Sequence, residues 1–269
     1  MSKLIVIPCK DEDLKLDCDG FILGIKGLSV NIEKTYTIDE ALEIINNTSK
    51  DIFVSLNKNM HNKDLELLKD ALRKLNDTNI KGILYYDIAV VNMAHKMELN
   101  IDLVWSQEHM TTNYFTCNYW YSKGVKYAYL SSEITIDEIL EIKENTNMKL
   151  MVTIFGHLPM FVSKRPLVNN YLETFNIKDD SKIHYLNQKN KIYPLTYNGC
   201  VCLYSDYVLN GIEELDKLKD IDYLVLNSFL IDDMDKVLDA FKNNKTLDKY
   251  KDKGFLYKET IYKVKKWES

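Results

Sequence analysis

Eight short apolar runs recur along this chain, with segments of helical apolar spacing between them. The runs cover residues 4–7, 21–25, 52–56, 82–86, 103–105, 126–130, 150–155 and 223–226. The helical segments cover 38–45, 65–75, 89–97, 112–121 and 136–142. A short run that is apolar throughout needs cover on both faces, and helices between successive strands supply it. The order therefore implies a parallel sheet. Eight such strands in a chain of 269 residues imply closure into a TIM-type (β/α)8 barrel.

Local signals mark several helix starts. Thr37 with Glu40, and Thr135 with Glu138, fit the capping box, in which hydroxyl and carboxylate each take one free amide. Asn62 and Asp232 are the expected caps of two further helices.

The regular pattern breaks in two places. Residues 8–20 are too few for a full helix between the first two strands. The connection after the seventh strand, 156–221, is very long. Within it, 192–196 and 201–204 flank Tyr197-Asn198-Gly199, and Asn-Gly is a strong hairpin turn. The expectation is a β-hairpin insertion over one end of an irregular barrel, followed by a helix over 208–218. One domain is expected over 1–269, with the insertion at 158–220 and a C-terminal extension at 254–269. The alternation in GFLYKETIYKVKK makes that extension one more strand lying on the barrel.

Composition narrows the class. With 35 basic and 40 acidic residues the net charge is -5, which argues against a domain that holds nucleic acid alone. The five cysteines are odd in number and lack a disulfide spacing. The N-terminal MSKLIVIP has too short an apolar run for a signal peptide, and no run approaches the ~20 residues of a membrane span. A cytoplasmic protein with reduced thiols and no membrane partner is the expectation.

Barrel active sites use residues at the C-terminal ends of the strands. Here those are Cys9 or Lys10, Lys26, Asn57, Asp87, Gln107 with Glu108, Glu133, His157 and Asn227. Any one of them has a structural alternative, because loops are wet and Asp, Asn and Glu cap helices. His157, at the head of IFGHLPMFVSKRPLVNNY, has the chemistry of a proton carrier near neutral pH; its structural alternative is a hydrogen-bonded histidine. Glu133 reads as a general base or as the holder of a loop amide. Only Arg73 and Arg165 are arginines, and Arg165 could clamp an anion with its two-pronged donor or pair with a local acid such as Glu173. Residues 157–170 then read as a wall of the barrel mouth, stiffened by Pro159 and Pro166.

Motifs for other chemistries are missing. The chain has no G-x-G-x-x-G, no G-x-x-x-x-G-K-[ST], no G-x-S-x-G and no H-E-x-x-H. Cys200 and Cys202 alternate on one strand face, and no metal-ligand spacing accompanies them.

The segment WSQEHMTTNYFTCNYWYSKGVKYAYLSSEITIDEI resembles the central segment of the collagenase-like peptidase family U32. There a Ser-Thr-Gln or Ser-Thr-Glu stretch precedes an Asn-bearing helix and a strand ending in Leu-x-x-Glu-Leu; Ser106, Glu108, Asn113 and Glu133 fall on that pattern. IFGHLPMFVSKRPLVNNYLE and IYPLTYNGCVCLYSDYVL resemble the stretches that follow in the short firmicute members. The resemblance implies a barrel-like fold and a family named for peptidase activity, without an established protease triad or metal motif. Members similar to this chain are linked to wobble-uridine hydroxylation in tRNA, often as paired paralogous subunits. Relatives in quinone biosynthesis bind a 4Fe–4S cluster through cysteines around the family motif. In this chain Phe161 and Pro166 stand near two of those cysteine positions, so an iron–sulfur cluster is not expected, nor any other cofactor or metal.

Three functions are weighed on this basis. The leading one is a subunit or accessory of tRNA wobble-uridine hydroxylation, partnered by a paralogous U32 chain and meeting tRNA only as part of a complex. The second is a hydrolase, as the family name says. The third is a non-catalytic binding or scaffold subunit. Whether the chain is itself an enzyme stays open. The candidate catalytic residues are His157 and Glu133; the candidate substrate-binding residues are Arg165, Asn57, Asp87, Glu108 and Asn113.

Overall fold

A computed structural model describes residues 2–107 and 109–258. In chain order its strands and helices begin β1 (Lys3–Ile7), β2 (Gly20–Ile25), β3 (Thr35–Tyr36), α1 (Ile38–Asn46), β4 (Asp51–Leu56) and α2 (Leu65–Asn76). They continue with β5 (Gly82–Tyr85), α3 (Ile88–Lys96), β6 (Leu103–Ser106), α4 (Tyr114–Ser122), β7 (Tyr127–Tyr129) and α5 (Ile136–Asn145). The last are β8 (Lys149–Ser163), α6 (Leu167–Thr174), β9 (Ile183–Gln188), β10 (Lys191–Tyr197), β11 (Val201–Asn210), β12 (Tyr223–Asn227) and α7 (Met234–Asn243).

Eight strands close a ring in the order β12-β1-β2-β4-β5-β6-β7-β8, and β8 pairs back to β12. Every pair around it is parallel. The (β/α)8 barrel expected from the alternation is therefore present. The connection from β1 to β2 holds only a short 3-10 turn, Asp11–Lys15. Both expected capping boxes form: Thr37 accepts from the Glu40 amide and Thr135 from the Glu138 amide, each glutamate reaching back to the cap amide.

Alternation along each strand sorts the side chains into two cores. On β4, Ile52, Val54 and Leu56 face outward and pack in the helix-covered core. Phe53 faces inward with Ile5, Ile22, Leu84, Val104 and Met151. One end of the barrel is closed by Asp51, whose carboxylate takes Lys3 Nζ at 2.6 Å and the Tyr223 hydroxyl at 3.4 Å.

Several local expectations are corrected. The seventh apolar run does not stop at Phe155: β8 is 15 residues long. Its first half is parallel to β7 and β12, and its second half runs antiparallel to β11. The helix expected over 208–218 does not form. Its apolar spacing was helical, but residues up to Asn210 belong to β11, and Ile212–Glu214 make one 3-10 turn. Pairing with the extended β8 satisfies backbone groups that a helix would have satisfied internally. The caps also shift: Asp64 and Asp233, not Asn62 and Asp232, stand at the starts of α2 and α7, without side-chain cap bonds. The Asn-Gly hairpin is present between β10 and β11, and β9 extends it into a further antiparallel pair. The expected C-terminal strand falls mainly on residues outside those described; of the described part, Asp252 makes an isolated bridge to Leu209 and 254–257 form a turn. Among the described residues no helix is long and apolar enough to cross a membrane.

Candidate functional site

Inward positions on the barrel strands change character toward the C-terminal ends. On β4 the inward series runs Asp51, Phe53, Ser55 and then Asn57 beyond the strand. Ser106 ends β6, Tyr129 ends β7, Thr153 lies on β8 and Asn227 ends β12. Together with His157 these groups line a narrow inner recess of about 60 Å³. A wider outer chamber of about 390 Å³ opens above it and shares Asn31, Asn57 and Ser106 with the recess. His61, Tyr86, His109, Phe161 and Lys164 line the chamber.

The inner recess is polar, and most of its polar groups are already engaged. Tyr129 OH and Thr153 Oγ1 are 2.7 Å apart. Asn57 closes a two-bond clamp on the loop after β2, accepting from Val30 N at 2.9 Å and donating to Val30 O at 3.1 Å. Asn227 donates to the His157 carbonyl at 3.1 Å and accepts from Phe229 N at 3.1 Å. Ser55 differs. It is only 1% exposed, its Oγ has no protein partner, and it lines the recess. A buried hydroxyl without a partner is costly, and a bound ligand or water is the usual remedy.

His157 is held from behind. Its Nδ1 lies 2.8 Å from the Ser205 carbonyl oxygen, which can only accept, so in the neutral ring Nδ1 carries the proton and Nε2 is the acceptor. The Ser205 hydroxyl accepts from Leu158 N at 3.0 Å and donates to Tyr207 O at 2.6 Å. These bonds sit in the irregular stretch of β11 between Tyr204 and Val208. Burial lowers the His157 pKa, against an opposing pull from the carbonyls of Ser205 and Tyr207. The ring is thus a neutral proton acceptor oriented by backbone rather than by a carboxylate.

The other candidates scatter. Glu133 is exposed at the rim, with its Oε2 3.6 Å from His109 Nδ1, and is not among the residues lining the recess or chamber. Asp87 caps α3 through Ala89 N at 2.9 Å and holds Met60 N at 2.8 Å. Asn113 caps α4 through Thr116 N at 2.9 Å. Glu108 lies outside the described residues. Residues 157–163 are strand, not loop, and it is Lys164, not Arg165, that reaches the chamber. Arg165 is exposed just beyond β8. Lys164 donates to the Asn59 carbonyl; desolvation and the neighbouring Lys58 ammonium lower its pKa. Lys26 is exposed and Gln107 half-buried. Cys9 turns to a small apolar cluster with Cys200, Cys202, Tyr204 and Phe229.

The donor set does not suit a four-thiolate cluster. Cys18 and Cys117 lie in the helix-covered core, away from the other three. Phe161 and Pro166 offer no sulfur. Among the described residues no three or more His, Cys, Asp or Glu side chains gather as metal ligands.

Ser55, Ser106, Tyr129, Thr153 and Lys164 were absent from the strand-end ring read in the sequence. A signal for Ser55 exists: the period of two carried on from Phe53 places it inward, one step below the strand end.

Comparison with known proteins adds the lineage. The family model described as peptidase family U32 matches residues 28–232. The tRNA hydroxylation protein P2 of Bacillus subtilis (strain 168) is 29% identical over 248 residues, covering 86% of this chain and 79% of that protein. The tRNA hydroxylation protein P1 of the same organism is 26% identical over 54% of this chain, which spans 35% of P1. An uncharacterized protease of Methanocaldococcus jannaschii is 25% identical over 62% of this chain and 42% of its own length.

Proposed function

The chain belongs to peptidase family U32, and from that premise we propose that it takes part in tRNA hydroxylation, as a subunit whose barrel mouth receives a uridine. The likeness to P2 along most of both chains supports this reading. The observation that carries it to the mouth is chemical: among the described residues, neither the recess nor the chamber is lined by a carboxylate. Amides, hydroxyls and a neutral imidazole line the recess instead. A uracil edge presents an acceptor, a donor and an acceptor, which amide and hydroxyl side chains complement. The Ser55 hydroxyl, buried and without a protein partner, is a ready contact for such an edge.

His157 serves in this proposal as the proton acceptor at the recess, with Asn227 and Ser205 fixing its backbone and ring. Glu133 and His109 act at the rim. The chain holds no cluster of its own in this reading, and a paralogous U32 chain is the proposed partner, in keeping with the matches to both P1 and P2. The deciding experiment is nucleoside mass spectrometry of tRNA from a deletion strain. Hydroxylated uridine should fall and return on complementation. Unchanged modification removes the proposal.

A further inference from the structure

Exposed large apolar side chains are concentrated in one part of the molecule. Phe161, Tyr171, Phe175, Tyr185 and Tyr197 are exposed aromatics of the extension formed by the outer half of β8, α6 with the residue that follows it, β9 and β10; a separate exposed group, Phe115, Tyr119 and Tyr121, lies on α4. Helix α6 buries none of its residues. β9 lies at the end of the sheet path, so one of its edges has no strand beside it among the described residues.

Charge segregates to the same place. Residues 160–197 carry six cations (Lys164, Arg165, Lys178, Lys182, Lys189 and Lys191) against three carboxylates (Glu173, Asp179 and Asp180), within a chain whose net charge is -5. All six cations are exposed. Lys191 pairs with Asp206 at 3.2 Å; among the described residues the other five make no ion pair. Such a surplus on an otherwise acidic protein is an electrostatic footprint for a polyanion. Exposed rings between the cations are the stacking surfaces that unpaired bases use. The extension also continues into the mouth, where Phe161 and Lys164 line the outer chamber.

We propose that the β8–β10 extension with α6 is an RNA-docking platform that grips the backbone of a single-stranded RNA loop through Lys178, Lys182 and Lys189, and stacks its bases on Phe175 and Tyr185 while a neighbouring nucleotide enters the mouth. This rests on the tRNA reading above and names how the substrate is held. A protein partner on the same surface is the competing occupant, because Leu186 and Ile192 are exposed there too.

The test is fluorescence anisotropy of the full chain with a labelled RNA stem–loop carrying a uridine in its loop. The triple variant Lys178→Gln, Lys182→Gln, Lys189→Gln should bind about tenfold more weakly, with a log–log salt slope shallower by about two. The pair Phe175→Ala, Tyr185→Ala should lose about tenfold at an unchanged salt slope. All five positions are exposed and outside the mouth lining, and thermal melting checks that each variant folds. Wild-type binding retained in both variants, or no binding by the wild-type chain, overturns the platform. So does sedimentation showing a self-association that Tyr185→Ala abolishes. Failure of the platform is separable from failure of the function: a deletion that lowers hydroxylation, fully complemented by both variants, sinks the platform alone, whereas a deletion that leaves modification unchanged removes the tRNA reading first.

Discussion

Gly156 and Asn227 meet backbone to backbone where β8 leaves the barrel. Gly156 has φ of +113°, and a Cβ built on it would lie 2.4 Å from the Asn227 carbonyl oxygen. The register between β8 and β12 shifts just there, between Val225 and Leu226. Only a residue without a side chain permits both the backbone conformation and the approach. This contact lets one strand serve the ring and then the extension, and it places His157 at the recess.

Gly156→Ala should therefore destabilise the protein by about 2–4 kcal/mol, from overpacking and left-handed strain together. Urea unfolding monitored by circular dichroism measures it. A loss below about 0.5 kcal/mol would show that the contact relaxes freely.

Ser55→Ala separates stability from function. The hydroxyl is buried without a protein partner, so its removal should leave the melting temperature equal or slightly higher, by the equivalent of about 0–1 kcal/mol. The same variant should complement tRNA hydroxylation poorly in a deletion strain. Full complementation would take Ser55 out of the site.

His157 makes stability depend on pH in a defined direction. The folded ring has a pKa below its ordinary 6.5 because burial disfavours the charged form. Between the folded and unfolded values the unfolded chain binds more protons, so stability rises with pH there. The contribution is complete above about 6.5 and is lost as pH falls through the folded value. His157→Gln keeps a donor for the Ser205 carbonyl but cannot titrate. Urea midpoints at pH 7.5 and 5.5 should differ less in this variant than in wild type; equal differences would refute the assignment.

The proposed absence of a cluster is checked by colour and iron content. Anaerobically purified protein should be colourless with no stoichiometric iron. Visible absorbance of the iron–sulfur kind, lost in Cys200→Ser or Cys202→Ser, would overturn it. Burial raises the thiol pKa of Cys200, and that of Cys9 to about 11, which disfavours the thiolate that a cluster requires.

What the sequence determined by itself were the features set by neighbours in the chain. Apolar runs too short for anything but strands, alternating with amphipathic segments, leave a helix-covered parallel barrel as the way to bury both strand faces. Thr37 with Glu40, Thr135 with Glu138, and Asn198 with Gly199 act within four residues, and each is realised where the sequence placed it. Tertiary structure decided the rest. Residues 208–218 have helical apolar spacing, yet Val208 pairs with His157 and Asn210 with Phe155, some fifty residues away, and no local pattern encodes that partner. The strand-end reading selects Asp87 and the family pattern selects Asn113, but capping consumes both, whereas Ser55 and Thr153 look like ordinary strand residues until ring closure turns them to one recess. The physical reason is that a side chain's neighbours along the chain fix its local conformation, while closure of the barrel and long-range strand pairing fix which polar groups converge and which find partners.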